Sequence, residues 1–104
     1  MAQRLLNDTT KTISATSMTI SPAMYGSSGT QRAVLILRNT SLAGEIISIA
    51  FGQAAKAGAG IVLNPNDQMI FSKDSGYVPS NEFVSAIASV ATATLSIHEE
   101  IDLI

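Results

Sequence analysis

The 104 residues carry six Lys and Arg against eight Asp and Glu, a formal net charge of −2, and no cysteine. Arg4, Lys11, Arg32, Arg38, Lys56 and Lys73 are scattered through the chain, so no basic stripe follows a phosphate backbone; direct nucleic-acid binding is not expected. Disulfides and thiolate metal sites within these residues are excluded outright.

A chain of this length is read as a single domain that buries about two-thirds of its unfolded surface. Charged residues make up 13% of it, against about 25% in ordinary domains. Ser, Thr, Asn and Gln take their place, and neutral polar groups are cheaper than charges to bury at a subunit contact. No apolar run approaches the roughly 20 residues that span a bilayer, and MAQRLLNDTT has no apolar signal core, which predicts a soluble chain made in a cytoplasm with no membrane partner.

In chain order, residues 1–12 offer only Leu5 and Leu6 as anchors and read as an extended N-terminal arm that packs on a neighbour, with 13–104 as the domain proper. A frayed terminus is the plainer reading of such a segment. Thr12 to Ile20 is rich in β-branched residues and reads as one strand, ending at Ser21-Pro22; Ile13 and Met18 fall on opposite faces, which leaves its core register open. Ala23 to Gln31, with Gly26 and Gly29 around a serine pair, reads as a surface loop.

Arg32 to Phe51 then reads as a hairpin: two apolar runs joined by the polar turn Asn39-Thr-Ser-Leu-Ala-Gly44. Alternation places Leu35, Leu37, Ile47 and Ile49 in the core, and sets Val34 and Ile36, bracketed by Arg32 and Arg38, toward a neighbour. A small chain with apolar side chains on both faces of a strand pair calls for partners. Gly52 to Gly60, with three glycines in nine residues, reads as a loop. Ile61 to Leu63 and Gln68 to Ser72 read as strands around the turn Asn64-Pro-Asn-Asp67, and Tyr77-Val-Pro79 as extended. Ser80 to Val90 fits a helix capped by Ser80, or a strand with Phe83 and Ile87 inward. Ala91 to Ile101 reads as a strand with Ala93, Leu95, Ile97 and Glu99 on one face. Many short strands between turns predict an all-β, two-sheet antiparallel sandwich.

Taken together, Arg38-Asn-Thr-Ser41, Ile47-Ser-Ile-Ala-Phe-Gly52, Gly60-Ile-Val-Leu-Asn-Pro65, Tyr77-Val-Pro79 and the run from Ile87 to Glu99 resemble small β-sandwich virion proteins of double-stranded DNA bacteriophages. The resemblance covers about two-thirds of the chain. It implies a jelly-roll-like sandwich acting as a capsid, vertex, decoration or tail-associated subunit, located in the virion, made in the host bacterial cytoplasm, and assembled as a homo-oligomer, a trimer or pentamer, with other virion proteins.

Residues able to carry chemistry are few. The one histidine, His98, would share a strand face with Glu100 and Asp102. Such a set can hold a divalent ion, but three acids and bases near a strand end more often form a solvated edge. Gly58-Ala-Gly60 lacks the Lys and the helix that a phosphate loop requires. No nucleophile and base pair can form without His98, so neither catalysis nor a cofactor is expected. Arg32 and Arg38 are the candidates for ionic contacts across an interface, with a solvated strand edge as the plain alternative. Tyr25 and Tyr77, in loop segments, are the candidates for stacking on a sugar, which keeps a carbohydrate-binding or host-receptor-binding module as the rival function.

Overall fold

The computed structural model describes residues 3–23, 31–76, 80–90 and 92–103. Among these residues, eight strands form two four-stranded antiparallel sheets. They are β1 (Gln3–Ile13), β2 (Met18–Ser21), β3 (Gln31–Asn39), β4 (Ile47–Phe51), β5 (Ile61–Leu63), β6 (Gln68–Ser72), β7 (Val84–Ala88) and β8 (Ala93–Leu103). The first sheet has the order β1-β8-β3-β6 and the second β2-β7-β4-β5.

This order follows from one operation on the chain. β1 pairs with β8, β2 with β7, β3 with β6 and β4 with β5, so the chain is one long antiparallel hairpin with its tip between β4 and β5. Rolling that hairpin brings β8 against β3 and β7 against β4, which completes the two sheets of a jelly roll. The all-β two-sheet sandwich read from the strand spacing is therefore the observed fold.

The inner faces meet in one apolar core. Leu35 and Leu37 from the first sheet lie against a layer with Ile47, Ile49, Val84 and Ala86 from the second; all are essentially inaccessible. Phe71 of β6 meets Phe51 of β4 edge to face, with ring centroids 5.6 Å apart.

Several elements differ from the sequence reading. Arg32 to Phe51 is not a hairpin: β3 and β4 belong to different sheets, and residues 40–46 cross between them. The abundance of apolar side chains on this pair is absorbed by two inner faces looking at each other rather than by one sheet with two apolar sides. Thr12 to Ile20 is likewise not one strand. The Ser14 hydroxyl, accepting from the Thr16 amide at 3.3 Å, closes a turn at which the chain passes from the first sheet to the second. Val84–Ala88 is a strand, as one of the two alternatives had it, but Val84, Ala86 and Ala88 point inward while Phe83 and Ile87 are half-buried.

The segment set apart as an N-terminal arm is a strand of the first sheet. Its residues pair with β8 continuously from Gln3 opposite Leu103 to Ile13 opposite Ala93. A backbone ladder needs no apolar anchors, and Thr9, Thr10 and Thr12 suit it, which is why counting leucines missed it.

The turn at Asn64–Asp67 follows its sequence closely. Pro65 sets the first corner, Asn66 takes the positive φ of 70° that the second requires, and the Asp67 amide donates to the Asn64 carbonyl at 2.9 Å. The Gly52–Gly60 loop folds back over the outer face of β4, where the Gly58 amide donates to the Ser48 hydroxyl at 2.9 Å. Gly60 is required there: its φ is +74°, and a Cβ would sit 2.7 Å from the Ile49 carbonyl oxygen.

Candidate functional site

Two polar clusters pin the ends of β3 to the opposite sheet. At its first end, Arg32 is one of the most deeply buried side chains. Its Nε donates to Glu99 Oε2 at 2.9 Å, Nη1 to the carbonyls of Ser80 (2.6 Å) and Glu82 (2.9 Å), and Nη2 to Ser21 Oγ and the Pro22 carbonyl, both at 2.8 Å. The Ser21 hydroxyl in turn donates to Glu99 Oε2 at 2.7 Å. Five donor bonds from one planar fork hold β2, β8 and the segment before β7 together.

At the other end, Asn39 is fully buried between the crossing segment and β5. Its Nδ2 donates to the carbonyls of Glu45 (2.8 Å) and Leu63 (2.9 Å), and its Oδ1 accepts from the Ser41 amide at 3.0 Å. The Ser41 hydroxyl accepts from the Thr94 amide at 2.9 Å. The Asn-x-Ser pattern at the strand end therefore has a direct structural role, tying both sheets to the crossing. Among the described residues, no buried side-chain nitrogen or oxygen lacks a partner.

Arg32, read from sequence as facing a neighbour, is buried within the fold instead. Alternation along β3 would put it on the outer face with Val34, but the ladder with β8 slips by one residue between Arg32 and Val34. That bulge turns Arg32 inward. Arg38, Val34 and Ile36 keep the outer face, Arg38 exposed and the other two half-buried.

The outer face of the first sheet is laid out in rungs. Leu6, Glu100, Val34 and Ser72 stand side by side, then Asp8, His98, Ile36 and Ile70, then Thr10, Ser96, Arg38 and Gln68. Ile70 is 47% exposed and Leu6 59%. An apolar patch on β3 and β6 therefore adjoins an ionic one on β1 and β8.

The ionic patch is built on His98. Its Nδ1 lies 2.6 Å from Asp8 Oδ1 and its Nε2 2.9 Å from Glu100 Oε2, so a protonated ring donates to both. Those hydrogen bonds, Glu100's first and Asp8's second, raise the imidazole above its ordinary range against a smaller opposing effect of burial. The set considered from sequence, His98 with Glu100 and Asp102, is not gathered: Asp102 pairs with Lys73, and Asp8 of β1 takes the place beside the ring. Asp8, sitting ninety residues away in the chain, gave no local sign of this.

Among the described residues, β1 is the most exposed strand. Leu5 through Thr10 are open to solvent on both faces. β1 is also the last strand of its sheet, so one row of its backbone N–H and C=O groups lies outside the ladder. Leu5 and Leu6, named from sequence as contact residues, sit on this edge, 48% and 59% exposed.

Elsewhere, a depression of about 240 Å³ lined by Ala50, Gln53, Ala54, Lys56, Ala59 and Gly60 opens on the outer face of the second sheet. It is smaller than the roughly 300–1,000 Å³ of ordinary small-molecule pockets. Leu42, in the crossing segment, is fully exposed; as the one large apolar residue in the polar turn Asn39–Gly44 it stood out in the sequence. Tyr25 and Tyr77 lie outside the described residues. No described helix is long and apolar enough to cross a membrane.

These features define a small jelly-roll sandwich with a long open edge. No protein-family model matches the chain, and no curated protein matches it. Among solved structures, it is similar to a chain of Bacillus endospore appendages, described as a novel family of disulfide-linked pili. The identity is 19% and the TM-score 0.68, over 98% of this chain and 87% of that one, which shows a shared fold. A chain from the acidic stable capsid structure of Helicobacter pylori bacteriophage KHP30 aligns at 12% identity and a TM-score of 0.41, over 100% of this chain and 94% of that one.

Proposed function

We propose that the chain is a structural subunit that acts by assembling with further copies of itself, as a component of a bacteriophage particle. The observation that carries this reading is β1: eleven residues long, at a sheet edge, exposed on both faces from Leu5 to Thr10 and bearing Leu5 and Leu6. A long edge left uncovered offers a template for pairing with another chain. The motifs shared with small phage virion proteins support the particle being a virion, and on this reading the chain binds rather than catalyses.

The likeness to the endospore appendage chain favours a second reading, a filament subunit. Without cysteine in these residues, such a filament would be held by non-covalent contacts alone.

Sedimentation velocity of the purified protein across micromolar to millimolar concentration, followed by electron microscopy, tests the proposal. Concentration-dependent assembly is expected, and it should be lost in a Leu5→Lys, Leu6→Lys double variant with an unchanged circular dichroism spectrum. A wild-type protein that stays monomeric throughout overturns it.

A further inference from the structure

The fully exposed Leu42 is held in place rather than left on a loose loop. On one side the Ser41 amide donates to Asn39 Oδ1 at 3.0 Å; on the other the Ala43 amide donates to Glu45 Oε1 at 3.0 Å. The crossing segment is further joined to the β7–β8 turn, where the Ile46 amide donates to Ser89 Oγ and the Ser89 amide to the Ile46 carbonyl. Next in that turn is Val90, 54% exposed. One end of the sandwich therefore presents two apolar side chains on pinned backbone, the arrangement in which little ordering entropy remains to be lost on binding.

Ala50, Ala54, Ala59 and Gly60 give the depression on the second sheet small walls, with Gln53 and Lys56 adding polar surface, and its volume of about 240 Å³ admits a branched aliphatic side chain. Lys56 stands at its rim, as Glu45 stands beside Leu42. Leu42 precedes β4, whereas the depression is built on the last turn of β4 and the loop beyond it, so the two lie near opposite ends of a strand about 17 Å long. A copy cannot fill its own depression.

We infer that Leu42 of one copy seats in the Ala50, Ala54 and Ala59 depression of the next, with Glu45 facing Lys56 at the rim. Two different patches meet in such a contact, so it is heterologous and repeats head to tail, giving an open filament or a closed ring. The inference rests on the self-assembly reading and adds a contact distinct from the β1 edge.

Two surface variants test it by sedimentation velocity: Leu42→Asp, which removes the knob, and Ala54→Trp, which fills the exposed depression. Circular dichroism and thermal melting establish that both fold. Each alone is expected to weaken assembly about tenfold or more. Mixed one to one, they should associate more strongly than either variant alone, because the intact depression of the first accepts the intact Leu42 of the second. If both variants assemble like the wild type, the knob contact is wrong while self-assembly stands. If each is impaired but the mixture associates no better than either alone, the two patches do not meet, and the inference is overturned. A monomeric wild type removes both readings.

Discussion

Arg32 Nε donates to Glu99 Oε2 at 2.9 Å with the arginine side chain wholly withdrawn from solvent and the glutamate nearly so. Two charges sealed between sheets are costly unless each finds a full set of partners. Here the guanidinium spends its donors on three backbone carbonyls, Ser21 and Glu99, which fixes the loops at that end of the sandwich.

Breaking this pair leaves an uncompensated buried charge. Glu99→Gln is expected to cost about 3–5 kcal/mol of stability in urea denaturation. Arg32→Lys should cost nearly as much, since one ammonium cannot span acceptors arranged for a planar fork. Losses below about 1 kcal/mol in both would be incompatible with a sealed pair.

Asn39 provides a second case. Asn39→Ala removes the hydrogen bonds to the Glu45 and Leu63 carbonyls and from the Ser41 amide, and at about 1 kcal/mol for each the loss should exceed about 2 kcal/mol. Asn39→Asp should be worse still, because it turns an acceptor toward two carbonyls. Equilibrium unfolding of both variants decides the order.

Glycine positions 58 and 60 separate backbone strain from collision. Both have positive φ, +78° and +74°, but a Cβ at Gly58 meets nothing within 4 Å whereas one at Gly60 meets the Ile49 carbonyl oxygen at 2.7 Å. Gly58→Ala is expected to cost about 1 kcal/mol, and Gly60→Ala distinctly more. Equal melting temperatures for the two would contradict the close approach.

The link between β1 and β8 should respond to pH. Because Glu100 and Asp8 raise the His98 pKa in the folded state, the stabilisation is fully present below the unfolded value of about 6.5 and is lost as pH rises through the higher folded value. NMR titration should give an imidazole pKa above the ordinary value, lowered by Glu100→Gln more than by Asp8→Asn. Amide exchange along β1 should speed up on the alkaline side in the wild type, beyond its intrinsic base dependence, and not in His98→Gln. A His98 that titrates normally would sink this account.

Alternation along single strands was enough to identify the core of Leu35, Leu37, Ile47 and Ile49, the outward set of Val34, Ile36 and Arg38, the Asn64–Asp67 turn, and the all-β class. These are consequences of the two-residue period of a strand and of proline and asparagine backbone preferences, both local properties. The partners of each strand were not legible. Whether Arg32 to Phe51 closes as a hairpin or crosses between sheets depends on where Asn39 finds its acceptors, and these come from Glu45 and from Leu63 of β5. The inward turn of Arg32 depends on a one-residue slip against β8, and the clamp on His98 on Asp8 from the far end of the chain. Residue order alone therefore determined which side chains alternate and where the chain turns, while the tertiary structure decided which edges stay open and which charges are sealed. Those outcomes rest on hydrogen bonds between residues distant in sequence, whose geometry exists only once the hairpin has rolled.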